Sequence, residues 1–518
     1  MKTLFRYLFA GAILLMLCFI FVGCSAVGGP SFGYQNGDAG MYYPEQEGIY
    51  SPNNQSTIRE NPFFSTKNQP TSTFSADVDT ASYTLFRKHV NSGYAWSSMQ
   101  SDYVGGNIRT EEMLNYFKYD YTEPAEGDLF GVDAKIVPSP WNSEYHLLMI
   151  GLKATDAEKP VGNNLVFLVD VSGSMDNKDK LPLLQKTFSY LVENLTENDR
   201  VSIVTYASGE RVVLEGCPGN RYEEIMHAIN SLRANGSTNG QAGLERAYQI
   251  AQACYIEGGN NRIIMASDGD LNVGISDPEQ LKSFVEDKRD KGIYLSVLGF
   301  GSGNYRDDNM ETLADCGNGV YYYIDGEVEA ERIFASELCS TLYTVANDVK
   351  LQVTFHPDYV RKYRLIGYEN RVLNEEDFTD DTKDAGEVGA GHTLTVCYEI
   401  KLVDPEEWPE AGDEGARKFM NLGVRKFMNL GVRWKNPGDR ESQERNYGIG
   451  ESNMMEQLDD DLRFACAIIE TAMLLHKSEY AGDASLDSVL ELLAGMDEKD
   501  FYQEEFETLI KKLHGTQE

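Results

Sequence analysis

The 518-residue chain reads as an α/β protein built on a doubly wound, mostly parallel sheet, with antiparallel strands on either side of it in sequence and helices at the C-terminal end. Three observations predict this. Between Asn164 and about Asp348, apolar runs such as "LVFLVDV", "NRIIMASD" and "IYLSVLGFG" alternate with amphipathic stretches such as "KLPLLQKTFSYLVENL" and "GQAGLERAYQIAQACYI". A strand that is apolar on both faces must be covered on both, the pattern of a parallel sheet with a helical layer on each side. Outside this region "LFGVDAKIVPSPW", "YHLLMIGLKA", "DVKLQVTFHPDYVRKYRLIGYENR" and "GAGHTLTVCYEIKLV" alternate apolar and polar residues, the period of half-buried strands. Neither flanking group makes a stable sheet alone, so the two are expected to form one β-sandwich with the α/β domain inserted between them.

Taken in order, the chain begins with Lys2 and Arg6 ahead of an apolar run from Leu8 to Val22, the layout of a secretory signal. The run ends "FVGC", which resembles the bacterial lipobox, with Phe21 where leucine is usual. That resemblance implies that residues 1–24 are a lipoprotein signal peptide and that Cys24 is lipidated; an uncleaved membrane anchor is the alternative. Either way the bulk of the chain is expected outside the cytoplasm, membrane-anchored in the cell envelope, because no later run is apolar for long enough to span a bilayer. Ser25 leaves an outer-membrane address open. Residues 25–73, rich in Gly, Ser, Asn, Pro and Tyr, read as a disordered tether with a reach of roughly 40 Å.

Residues 74–160 are expected to hold N-terminal helices and the first sandwich strands. Asp79 or Thr80 can cap a helix carrying Tyr83, Leu85, Phe86 and Val90, with capping favoured over metal binding for Asp77 and Asp79, and Thr110 reads as the cap of the next helix. Residues 161–348 are the α/β domain, closing with "GVYYYID" and a long helix from Glu327 to about Val345. Residues 349–445 carry the remaining sandwich strands, and 446–518 a helical region with "DDDLRFACAIIETAMLLHKSEY" and a last helix from about Glu504. "RKFMNLGV" occurs twice in succession, at Arg417–Val424 and Arg425–Val432. One copy has a natural place in a ladder, and the other is expected to loop out or lengthen a hairpin. Trp141, Tyr145 and Tyr321–Tyr323 read as packing residues.

The balance of 82 acidic against 46 basic residues, net −36, argues against a nucleic-acid partner. Beyond the signal, Cys217, Cys254, Cys316, Cys339, Cys397 and Cys466 show no C-x-x-C spacing, so no zinc site is indicated and buried free thiols are expected.

The chemistry gathers at the carboxyl edge of the predicted sheet, where ligands bind in such folds. Asp170, Ser172 and Ser174 follow the first strand at alternate positions. "NGSTNGQAGLERA" puts Thr238 in a glycine-bracketed turn at a helix start, and "RIIMASDGD" puts Asp268 at the end of a central strand. Carboxylates and hydroxyls from three loops suit a hard, six-coordinate ion such as Mg²⁺, with a position left for water or a partner's carboxylate. A phosphatase of the HAD type needs an acid where Ser172 stands; "GSTNG" is no nucleophile elbow; H-E-x-x-H and a P-loop are absent. "DGDLNVGISDPE" has Val273 where a calcium loop needs glycine, so Asp270 and Asn272 read as loop-shaping and Glu279 as no ligand.

"DVSGSM", "GSTNG" and "SDGD" together resemble the metal-ion-dependent adhesion site of von Willebrand factor type A (vWA) domains. The resemblance implies a six-stranded Rossmann-like sheet, with Ser172, Ser174 and Thr238 coordinating the ion and Asp170 and Asp268 binding it directly or through water. "ADVDTASY", "EEMLNYF", "DAGEVGAGHTLTVCYEI" and the Cys466 helix resemble the flanking regions of bacterial vWA-domain lipoproteins, from about Thr73 to the end. The expected function is therefore non-enzymatic: a surface-tethered module that captures a protein presenting Asp or Glu through bound Mg²⁺, or Mn²⁺ or Ca²⁺. An envelope assembly or chaperone subunit is the alternative, and a metal-dependent hydrolase a more distant one, since no nucleophile–base pair is visible.

Overall fold

The computed structural model describes residues 58–156, 161–236, 240–269, 278–301, 307–337, 342–409, 420–421 and 424–517. Its central sheet runs, in spatial order, Tyr321–Ile324, Tyr294–Phe300, Asn260–Ser267, Asn163–Asp170, Arg200–Tyr206 and Glu210–Pro218. All neighbours are parallel except the last pair. Asn163–Asp170 is buried along its whole length, as an unbroken apolar run in a doubly covered sheet must be.

Two antiparallel sheets form the sandwich. One runs Phe64–Ser65, Val360–Ile366, Thr393–Leu402, His146–Ala154 and Phe130–Pro138. The other runs Val372–Leu373, Thr71–Ser75, Thr344–Phe355, Val424–Lys435 and Met420–Asn421, with Gly386–Gly389 and Gln443–Gly450 paired alongside. His146–Ala154 precedes the α/β domain and Thr393–Leu402 follows it, yet they pair from Thr393↔Lys153 to Ile400↔His146. The sheets face each other through aromatic contacts: Phe355 stacks on Tyr363 at 4.2 Å and Phe130 meets Trp434 edge-on at 5.6 Å.

Several expectations need correction. Phe64–Ser65 and Thr71–Ser75 lie in sheets, so the stretch assigned to a tether up to residue 73 ends inside the sandwich. The short run "TSTFS" has too few apolar residues to show a period; pairing with Thr344–Phe355 supplies its stability. The long helix from Glu327 to Val345 is instead an α-turn at Glu327–Glu331 and a π-turn at Arg332–Ser336, and Thr344 already begins a sandwich strand. Sandwich pairing overrides helix propensity there. Thr110 is the first helical residue of Thr110–Asn115 and makes no capping bond. The helix Leu486–Ala494 has no counterpart in the sequence reading. Described cysteines 217, 254, 316, 397 and 466 are free thiols, and Cys339 lies outside the described residues.

The helices Ala81–Asn91, Asp460–His476 and Phe501–His514 pack through Tyr83, Phe117, Phe464 and Phe506; Phe117 lies 4.6 Å from Phe464 and 6.0 Å from Phe506. A buried charge cluster ties them to the end of the central sheet. Arg87 bonds Asp325 at 2.5 Å, Glu329 at 2.8 Å and Glu505 at 3.0 Å. Arg332 holds the other oxygen of Glu329 at 2.5 Å. Burial would push Glu329 up, but Arg332 and Arg87 hold its carboxyl below the usual range.

Of the tandem copies, Arg425–Val432 sits in the ladder, from Met428↔Phe355 to Val432↔Leu351. Met420 and Asn421 of the first copy fold back on Arg425 and Val424 as a hairpin extension. Deleting Arg417–Val424 leaves the paired copy intact. Trp408 already lies 5.3 Å from Phe427, so the shortened connection still reaches. The deletion variant is expected to unfold in urea within ~1 kcal/mol of the parent.

Glu470, in Asp460–His476, is buried, and burial raises its carboxyl from 4.5 to about 7 against one hydrogen bond from Ser488. A raised carboxyl binds its proton more tightly in the folded chain. Its stabilising contribution is therefore full below pH 4.5 and is lost as pH rises to about 7. Glu470→Gln should match the parent's urea midpoint at pH 4 and exceed it at pH 8; parallel curves at both pH values would contradict this.

Candidate metal centre

The apolar run of the strand Asn163–Asp170 ends in a fully buried aspartate at the sheet's carboxyl edge. The chain then turns tightly. Ser172 N–H donates to Asp170 Oδ1 at 2.8 Å, and the hydroxyls of Ser172 and Ser174 lie 2.9 Å apart. The alternate spacing thus gathers the three side chains at one turn. Met175, the next residue, is fully buried.

Two further loops reach this turn. Gly173 N–H donates to the Gly236 carbonyl at 3.0 Å, and Asn235 N–H to that of Val171 at 2.7 Å. This brings the segment leading to Thr238 against the serine turn; Thr238 itself lies outside the described residues. Asp268 follows the neighbouring parallel strand, in which Ala266 pairs with Val169. It is buried, and Ser267 Oγ donates to Asp170 Oδ2 at 3.5 Å. Asp170, Ser172, Ser174 and Asp268 therefore share one edge. Asp270, Asn272, Val273 and the side chain of Glu279 lie outside the described residues, as does Cys24.

Sequence reasoning missed Lys180. Its ammonium lies 2.7 Å from Asp268 Oδ2 and donates to the Ser174 carbonyl at 3.0 Å, and its side chain is only 11% exposed. Its stem runs along Gly301, which has φ +84°; a Cβ there would come within 2.3 Å of Lys180 Cε. The signal was its position. Lys180 stands just before the helix Leu181–Val192, where the helix dipole disfavours a cation unless an acid faces it. Next to it, Asp179 lies 3.6 Å from Lys88 of the helix Ala81–Asn91, and Lys88 donates to the Gly301 carbonyl at 2.7 Å.

A second acidic group stands apart from this edge. Asp77, Asp79 and Glu311 are buried with carboxylate oxygens within 4.8 Å of one another. A guanidinium reaches into them: Arg371 lies 3.0 Å from Asp77, 3.1 Å from Glu311 and 3.7 Å from Asp79, while Arg109 holds Glu311 at 2.6 Å. Burial raises Glu311 to about 8 despite both arginines, and burial with the charge of Asp77 raises Asp79. Neither Asp77 nor Asp79 caps the helix as expected; Asp79 accepts the Tyr321 N–H at 3.0 Å and so ties the N-terminal segment to the sheet.

The side chains gathered at the Asp170 turn, one carboxylate and two hydroxyls, offer oxygens of the kind that suit a hard divalent cation. The fold and this edge define a vWA-domain protein. Residues 164–335 match the model "von Willebrand factor type A domain", residues 50–149 the model "von Willebrand factor", and residues 340–515 "Uncharacterized protein YfbK, C-terminal". The chain is 38% identical over 471 residues to "Uncharacterized protein YfbK" of Escherichia coli (strain K12), covering 88% of this chain and 80% of that protein, and it belongs to the YfbK family. Human inter-alpha-trypsin inhibitor heavy chain H3 is 26% identical over 266 residues, 48% of this chain and 29% of that protein. Among solved structures, von Willebrand factor type A from Catenulispora acidiphila superposes with a TM-score of 0.43 at 16% identity, over 76% of this chain and 91% of that one. vWA domains are commonly protein-interaction modules, generally non-enzymatic, and often hold a divalent metal at an adhesion site.

Gly301→Ala should cost about 1–3 kcal/mol in urea unfolding, from a strained φ and the collision with Lys180. Adding Lys180→Ala should return the steric part. A Gly301→Ala chain as stable as the parent would mean that Lys180 does not run along this glycine.

Proposed function

We propose that this chain is a membrane-tethered protein-binding module of the cell envelope, lipidated at Cys24, that captures a partner's Asp or Glu side chain through a divalent cation. The observation that carries the reading is the convergence of Asp170, Ser172 and Ser174 on one turn, with Asp268 on the adjacent strand end. Ser172, Ser174 and Thr238 would ligate the ion, with Asp170 and Asp268 holding it directly or through water. Mg²⁺ is the favoured ion for an oxygen-only donor set, with Mn²⁺ and Ca²⁺ as replacements. When bound, the ion supplies a positive centre that offsets the cost of burying a partner's carboxylate. The chain's own part is to hold the oxygens in place: the Ser172 N–H fixes one oxygen of Asp170.

The test is capture of partners from envelope extracts on the chain from residue 58 onward, in Mg²⁺ and in EDTA, with Asp170→Ala alongside. The expected result is a carboxylate-bearing protein retained only with Mg²⁺ and intact Asp170, and at least tenfold weaker binding for the variant. A partner retained equally in EDTA and by Asp170→Ala would move the binding function to the sandwich or the C-terminal helices.

A further inference from the structure

Lys180 places a positive charge where a site for a cation would be expected to exclude one. Its ammonium lies 2.7 Å from Asp268 and 3.0 Å from the Ser174 carbonyl, and Gly301 leaves the space through which its stem passes. The helix Leu181–Val192 starts immediately after it, so the helix dipole adds positive potential to the same spot. The neighbouring pair Asp179 and Lys88 is balanced within itself. At this edge the Lys180 ammonium thus stands on Asp268, and the buried carboxylate of Asp170 ends the adjacent strand.

We propose that Lys180 sets the charge of the loaded site: it weakens the hold on the metal and strengthens the hold on the partner's carboxylate. This rests on the metal reading above. Two carboxylates and a divalent cation would leave a neutral site, with little to draw in a further acid. Lys180 leaves one unit of positive charge, which a single partner carboxylate neutralises. Repulsion between ammonium and metal lowers metal affinity until that carboxylate arrives, so metal and acidic partner bind cooperatively. Lys180 is a positioning and charge-setting residue and touches neither metal nor partner.

The experiment compares the parent, Lys180→Met, Lys180→Arg and Asp170→Ala in Mn²⁺ titrations followed by calorimetry, with and without acetate as the carboxylate probe. Lys180→Met is expected to bind Mn²⁺ about tenfold tighter than the parent and to show a smaller tightening with acetate than the parent does. Lys180→Arg keeps the charge and should retain the acetate effect. Without metal, Lys180→Met removes the ammonium that faces Asp268. It should melt below the parent in EDTA and recover with Mn²⁺, which also shows that the variant folds. Equal or weaker Mn²⁺ binding by Lys180→Met, or an unchanged acetate effect, overturns the proposal while the metal site stands. Absence of Asp170-dependent Mn²⁺ binding in the parent overturns the metal reading itself, and the proposal with it.

Discussion

Glu329, buried between Arg87 and Arg332, joins the parts of this molecule. Arg87 belongs to the N-terminal helix Ala81–Asn91, Glu329 and Arg332 to the segment leaving the central sheet, and Glu505, the third acid on Arg87, to the last helix. Charges this far from water are costly singly and tolerable only when every partner is present. The contact specifies one arrangement of three segments more than it adds stability. Arg371 does the same a short way off, joining Asp77 of the N-terminal segment to Glu311 and Asp315 of the α/β domain. The inserted domain is therefore keyed to its frame by ion pairs, where a flexible graft would need only apolar contact.

That keying reaches the candidate site. The helix that carries Arg87 also carries Lys88, which bonds the carbonyl of Gly301 and faces Asp179 of the site loop. The loop holding Asp170, Ser172 and Ser174 is thus bordered by the frame as well as by the sheet. Lys180 lies between them, its stem against Gly301 and its ammonium on Asp268. An ion or partner arriving at this edge would meet a surface whose charge the whole molecule sets.

Where the sequence was read correctly, the signal was local or periodic. Apolar runs such as Leu165–Val169 announced buried parallel strands, and the alternate spacing of Asp170, Ser172 and Ser174 announced a turn of converging oxygens. Errors arose where a long-range contact overruled a local tendency. Thr344 and Val345, read as the end of a long helix, open the strand Thr344–Phe355, because strands on both sides claim it. Asp79 stands one residue before the N-cap position, Thr80, but Tyr321, 242 residues away in sequence, takes its carboxylate. Between two identical copies of "RKFMNLGV", local preference cannot choose. A slip of eight residues is even and keeps every side chain on its face. The neighbours break the tie: Trp434 packs on Phe130, Lys435 pairs with Asp348, and Arg433 with Asp381, all just after the second copy.

The sequence by itself determined the class of fold and the sheet edge where Asp170, Ser172, Ser174 and Asp268 lie, because these follow from periodicity and spacing within a few residues. Only the tertiary structure decided which flanking strands pair and in what register, that Arg371 sits among Asp77, Asp79 and Glu311, and that Lys180 faces Asp268. Each of these joins residues far apart in the chain. A charged side chain's role depends on which opposite charge the fold brings within hydrogen-bond reach, and no local pattern encodes that distance.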